Sequence, residues 1–497
     1  MPQQRSQVPR VIFVEVNEVE RYFVNKYVAE GILPAFDRMF RDGIDMTTRI
    51  PGWERTNDRA WRDISPWIVW PTIYTGLSPD QHGIVGLGQD TTNIRGSCIW
   101  DVLDQNGIST GVCGDLMSYP PRSHGTCKFY VPEFLANDAN CIPEFVEPIQ
   151  ELALLGARNY SEDMTRIAGT ALRLVVKSVS AGAKLSTAIR LLAQIPIEKL
   201  VGSHRTPERA MLLSYLTVDA FTSLYRRYQP QYASLHLNHV AYMQHRFWRA
   251  TEPTLFKQSL APNDRRYFPS VSARESWESK YRGWIRRSLT YTDRVLQDLL
   301  RLAGNDVVII VAGGLGQCPM DPVDEIHNPI VRLVDPLHLF QLAGIKNFTA
   351  AHQMNPDLTL TFEDEVWAQD GQDRLAGFRI QESEPMFKTC RRGHQIFVDL
   401  VLPPDWLASS NSMIRHKEIE NLSVPCDRHI SLNSAMEQST AHHIDAGLLL
   451  AYSPARNLRR LTEVVDVSAI AATILSLFGI QPQPWMDPST KIAFEIE

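Results

Sequence analysis

Cysteine is scarce and scattered. The seven residues Cys98, Cys113, Cys127, Cys141, Cys318, Cys390 and Cys426 are odd in number and contain no CxxC pair. That excludes a disulfide framework, argues against structural zinc, and fits free thiols in a reducing cytosol. Long apolar runs are missing too, so no segment is expected to span a bilayer. The opening Met1 to Arg10 is polar and has no apolar stretch of the kind a secretory signal needs, so a cytoplasmic location is expected. Neither sign of charge is in excess. Fifty Lys and Arg against 56 Asp and Glu leave a net charge of −6, which excludes a nucleic-acid footprint. What remains is a chain of 497 residues, 44% hydrophobic, long enough for a large α/β core with insertions.

The most informative stretch runs from Ser65 to Gly83. Ser65 precedes Pro66 and is pushed out of the helical region, while Pro66 suits the first turn of a helix, where its missing N–H costs nothing. Thr75-Gly76 closes that helix and Pro79 is expected to stop it resuming. A hydroxyl at such an N-terminus sits where backbone N–H groups attract an anion. Upstream, Val11 to Glu18 is an apolar run ending in polar residues, as a buried parallel strand delivers side chains at its C-terminal edge. Tyr232 to Leu237 and Asp306 to Ala312 repeat the pattern. The first leads into Asn238, His239 and His245, and the second into the glycine-rich turn Gly313 to Gln317. Alternation of helices with such strands predicts a doubly wound, mostly parallel sheet flanked by helices.

Thr75-Gly76, Pro79 and His82-Gly83-Ile84 resemble the signature of the alkaline phosphatase superfamily, in its type I phosphodiesterase/nucleotide pyrophosphatase branch. The resemblance extends through Gly31 to Phe40, His245 with Trp248, and the closing segments His443 to Gly447 and Asp466 to Ile480. It covers about residues 10 to 485 and implies an alkaline phosphatase-like core in three pieces, 10–131, 203–344 and 436–490. A helical cap insertion at 132–202 and a mixed α+β insertion at 345–435 lie outside it. The cap reads as packed helices, or as a membrane-surface element through the basic residues Arg173, Lys177, Lys184, Arg190 and Lys199.

The same resemblance implies a two-metal phosphoryl-transfer site and shows where this chain departs from it. The metal-binding Asp of the first strand is replaced by Asn17, flanked by Glu15 and Glu18. Ala241 stands where a second Asp would be, and Gly313-Gly314 replace an Asp-His pair. His245 and His443 match metal ligands, and His239 and Asn17 are further candidates. The family's nucleophile position falls on Pro66, one residue from Ser65, with Thr72 the other nearby hydroxyl. Asn17, Trp67, Asn238 and Gln317 are candidate substrate contacts. Two readings follow: a divergent hydrolase or transferase acting on a phosphodiester or phosphorylated small molecule with a divalent metal, zinc or manganese; or a catalytically degenerate member that binds a phosphorylated or glycan-like ligand or a partner protein.

Overall fold

The computed structural model describes residues 10–50, 64–84, 91, 94–158, 168–202, 205–256, 259–260, 265, 267–320, 331–352, 358–380, 385–402, 412–432, 439–455 and 464–486. The chain divides into two compact units, the first made of 1–255, 276–320 and 440–497, the second of 256–275 and 321–439.

The first unit is built on an eight-stranded sheet. Its strands are β1 (Arg10–Val16), β2 (Ile44–Arg49), β3 (Thr110–Cys113), β4 (Cys127–Val131), β5 (Tyr232–Leu237), β6 (Val307–Ala312), β7 (Gly447–Tyr452) and β8 (Val464–Asp466). They lie in the order β8-β2-β7-β6-β1-β5-β3-β4. β7 pairs antiparallel with both β6 and β2, and every other pairing is parallel. β1, β5 and β6 are buried along almost their whole length, which is why they read as continuous Val, Ile and Leu runs. Val11 and Phe13 of β1 join Ile310, Leu449 and the helices Pro66–Thr75 and Ala469–Leu477 in one apolar cluster. Glu15 shares their parity and so points into that same layer. It is fully buried, accepting from Tyr74 Oη at 2.7 Å and lying 2.7 Å from His236 Nδ1. Burial pushes its carboxyl well above the usual range. Glu15 therefore belongs to the core and not to the strand-end edge.

The signature helix forms as its punctuation requires. Ser65 is its N-cap, accepting from Trp67 N at 3.3 Å, and Gly76 ends it in the left-handed region at φ 69°. Pro79 opens a further turn, Pro79–His82, instead of simply ending the first helix. Its missing N–H costs as little there as Pro66's does. The helices Glu147–Arg158 and Leu185–Val201 pack on Glu208–Tyr228, and Ala168–Ser180 packs on both of the first two.

The second unit contains a four-stranded antiparallel sheet, a three-stranded one, and the helix Glu365–Leu375, around a core that includes Leu360, Phe378, Phe387 and Ile396. This unit runs from Asp321 to Ser439 and also takes in 256–275.

Candidate metal centre

β1, β5 and β6 end side by side, and the turns that leave them build one cluster. Asn17 and Glu18 follow β1. Asn238 follows β5 and caps the helix His239–Thr251, which carries His245. Past β6 the chain folds into a ribbon in which Gly316–Pro319 pairs with Ala441–Ile444, setting Gln317 opposite His443. Thr440 donates to the carbonyl of His245 through both N (2.5 Å) and Oγ1 (3.0 Å), which pins the helix to the ribbon.

Glu18, His245 and His443 converge. Glu18 Oε2 lies 2.7 Å from His245 Nε2 and 3.1 Å from His443 Nε2, and the two imidazole nitrogens are 3.1 Å apart. On the far side of each ring, Nδ1 meets a backbone carbonyl: that of Ala441 at 3.2 Å for His245, and that of Ile64 at 2.6 Å for His443. Donation from Nδ1–H fixes the tautomer and leaves the Nε2 lone pair facing the cluster, the orientation metal-ligating histidines usually receive from their outer partners. Burial alone would raise the Glu18 carboxyl. The neighbouring imidazoles of His443 and His245 more than offset it and hold that carboxyl well below the usual range. Burial likewise lowers His443, and Glu18 more than reverses this, raising it. The side chain of Glu18 is 4% exposed but those of both histidines are 22% exposed, so the cluster is reachable from solvent.

Glu18 itself is held in a strained conformation. Its φ is 58°, in the left-handed region that a branched or long side chain enters at a cost of about 1–2 kcal/mol. The turn is locked from several sides. Glu18 N donates to Gly313 O at 2.8 Å, Val19 N to Val16 O at 3.0 Å, and Gln244 Nε2 to Glu18 O at 2.7 Å. Strain that the surroundings over-determine in this way is commonest at functional sites.

Asn17 stands behind Glu18. Its Nδ2 donates to Glu18 Oε1 at 3.0 Å and to Asn238 Oδ1 at 2.7 Å, and its Oδ1 accepts from Trp70 Nε1 at 2.8 Å. An indole N–H can only donate and a carboxylate can only accept, so the amide has one workable orientation. The carbonyl oxygen that would face a metal is thus committed to Trp70, and Asn17 orients Glu18. Gln317 serves the same carboxylate, with Nε2 2.5 Å from Glu18 Oε2 and 3.3 Å from Ala241 O. Its backbone N donates to Glu20 Oε2 at 3.0 Å.

Other sequence candidates lie elsewhere. His239 is six residues before His245, about 120° around the helix. It is buried between helices, with Nδ1 2.9 Å from Ser214 Oγ and Nε2 3.0 Å from Thr292 Oγ1, and it does not join the cluster. Thr72 is fully buried, bonded to Ile68 O and 3.2 Å from it, with His82 Nε2 at 3.0 Å; it is packed inside the helix. Trp67 packs into the apolar core. Ser65 is partly exposed at the helix N-terminus, and the residue before it, Ile64, carries the carbonyl that His443 grips. The carboxylate that completes the cluster is Glu18, which the sequence offers only as a charge beside Asn17. Its signal is its place, the second residue beyond a buried parallel strand.

A metal fits this donor set. A tetrahedral divalent ion with ligand bonds of about 2.0–2.1 Å needs donor atoms roughly 3.3 Å apart; two of the separations here, 3.1 Å each, are close to that, and the third, 2.7 Å, has to open by about half an ångström. Among the described residues, Glu18, His245 and His443 form the one group of three such ligands.

Residues 65–441 match the family model described as type I phosphodiesterase / nucleotide pyrophosphatase. No curated protein matches the chain. Among solved structures, it is similar to the alkaline phosphatase PafA, at 16% identity over 98% of this chain and 99% of that one, with a TM-score of 0.45. It is also similar to a phosphonoacetate hydrolase from Sinorhizobium meliloti 1021, at 14% identity over 95% and 96%, TM-score 0.40. A third is the murine ectonucleotide pyrophosphatase / phosphodiesterase 5, at 13% identity over 97% and 99%, TM-score 0.36.

Proposed function

We propose that this chain, which belongs to the type I phosphodiesterase / nucleotide pyrophosphatase family, hydrolyses or transfers a phosphoryl group of a phosphodiester or phosphorylated small molecule at a site for one divalent ion. The observation that carries the reading is the convergence of Glu18 Oε2, His245 Nε2 and His443 Nε2, each imidazole steadied from behind by a backbone carbonyl. One carboxylate and two imidazoles suit zinc and also accept manganese. Bound there, such an ion supplies a Lewis acid for a phosphoryl oxygen.

The chain's own groups divide the remaining work. Glu18 provides the negative charge, and Asn17 and Gln317 hold its carboxylate in register. Ser65, the N-cap of the signature helix and the neighbour of Ile64, whose carbonyl accepts from His443 Nδ1, is the candidate nucleophile. Asn238, bonded to Asn17, is the candidate contact for substrate oxygens. The test pairs two measurements on protein purified without chelator: bound metal, and turnover of a panel of phosphodiesters. Metal retained by the wild type and lost in His245→Ala/His443→Ala, together with turnover lost in Ser65→Ala, supports the reading. Metal-free protein without turnover removes it.

A second reading, a ligand-binding member without catalysis, is favoured by one feature. The place of the second metal's Asp-His pair is Gly313-Gly314, and the Trp70 ring packs against Gly314.

A further inference from the structure

The helices Ala168–Ser180 and Leu185–Val201 turn an unusual face to solvent. Leu172, Val176 and Val179 recur at helical spacing on the first and are all exposed. Leu185, Ile189 and Leu192 do the same on the second, followed by Leu200. Val176, Leu185 and Leu200 are 63%, 67% and 86% exposed. The helices pack on each other and bury other positions, including Leu174, Val175, Thr187 and Ala188. The exposed apolar stripes are thus additional to the core-facing ones. Contiguous exposed apolar surface of this kind marks an interaction site.

The charge on this face identifies what covers it. Residues 168–201 carry five basic residues against the single acid Glu198, while the whole chain is at −6; Lys184 and Arg190 reach Asp219 and Glu208 of the helix Glu208–Tyr228, and Arg173, Lys177 and Lys199 are the exposed cations that remain for the face. Glu198 is taken by Arg209 at 2.7 Å. At the foot of the pair lies an open cleft of about 360 Å³ whose lining includes Gly182, Lys184, Thr222 and Arg226. Asp219, also in that lining, pairs with Lys184 at 3.1 Å and accepts from Thr187.

We propose that this helical pair docks on an anionic lipid surface, its Leu, Ile and Val side chains entering the acyl boundary and its basic side chains meeting lipid phosphates. An exposed apolar stripe flanked by exposed basic side chains is what an interfacial helix needs. A second copy of the chain fits less well, because a two-fold contact sets the same patch against itself and brings Arg173, Lys177 and Lys199 against their own copies. A protein partner fits less well too, since lysine is depleted from protein–protein interface cores.

The experiment is co-sedimentation of the full chain with extruded vesicles of phosphatidylcholine alone or with added phosphatidylserine. Binding is expected to the mixed vesicles only, and to weaken as salt is raised. Each basic residue near the surface accounts for about a fivefold change in partitioning, so Arg173→Glu/Lys177→Glu should lower it by at least about 25-fold. Val176→Ser/Ile189→Ser should also lower it. All four positions are exposed, and an unchanged melting temperature confirms that each variant is folded. Equal binding to both vesicle types, or undiminished binding by both double variants, overturns the proposal. So does a wild-type dimer that Val176→Ser/Ile189→Ser dissociates in the absence of any vesicle binding.

Discussion

Trp70 occupies the space that a side chain at Gly314 would need: a Cβ built there would stand 3.2 Å from Cε2 and from Cζ2 of the indole. Gly314 also has φ 75°, where any other residue is strained. The same ring is fully buried and donates to Asn17 Oδ1. The Trp70 wall and Gly314 therefore go together, and placing side chains at 313 and 314 is not expected to create a metal site there. Gly313→Asp/Gly314→His is expected to lower stability by about 2–4 kcal/mol, from overpacking and a forced left-handed backbone. It should bind no more metal than the wild type. Denaturant unfolding and metal analysis of the purified variant check both halves, and a stable variant with doubled metal content would refute the coupling.

Metal retention should follow the cluster and its supports in a graded way. His245→Ala and His443→Ala each remove a donor atom and are expected to abolish stoichiometric metal. Asn17→Ala and Gln317→Ala leave the three donors but free the Glu18 carboxylate, and should weaken metal affinity by roughly 10–100-fold. Glu18→Gly separates the carboxylate from its backbone. It removes the ligand and relieves the positive φ, but leaves the buried amides of Asn17 and Gln317 without their acceptor, so metal should be lost and stability should fall by about 1–3 kcal/mol. Competition with a chromophoric chelator gives the affinities, and calorimetry the stabilities.

The fold was legible because its signals are local. β1, β5 and β6 show as apolar runs, and Ser65-Pro66 and Gly76 punctuate the signature helix in the sequence as they do in space. The site was only partly legible. His245 and His443 stand out by spacing, but their partnership with Glu18 depends on a turn after β1 and a ribbon 198 residues downstream of His245, and no local pattern encodes that. Asn17 looked like a weak ligand because sequence cannot show that the Trp70 indole takes its oxygen. His239 looked as good as His245 because histidine clustering does not reveal which way a helix is rotated. Pairing over long range decided each of these.

Ser65 has two jobs that substitution can separate. It caps its helix through Oγ, and Ser→Ala at such a position costs about 1 kcal/mol, whereas Ser→Gly costs only a few tenths. Ser65→Gly should therefore keep the melting temperature of the wild type and Ser65→Ala should lower it slightly, while both abolish turnover of any phosphodiester that the wild type cleaves. Turnover that tracks stability, falling in the alanine variant but not in the glycine variant, would assign Ser65 to capping alone.

His82 provides a test by pH. The ring is buried, its Nδ1 accepts from Ile84 N at 3.0 Å, and Nε2 lies 3.0 Å from Thr72 Oγ1. Burial lowers its pKa from 6.5 to about 4. Because the folded state resists protonation, the unfolded chain binds more protons once the pH falls below about 6.5, and stability drops from there until the folded pKa is reached. Each histidine of this kind contributes a slope of up to about 1.4 kcal/mol per pH unit. His239, buried and likewise lowered to about 4, adds a second such contribution. Urea unfolding between pH 7 and 4 should show stability falling with acid, and His82→Gln, which has no proton to gain, should show a shallower fall. A slope unchanged by that substitution would mean that His82 is protonated in the folded state, against the burial and the two hydrogen-bond partners that hold it neutral.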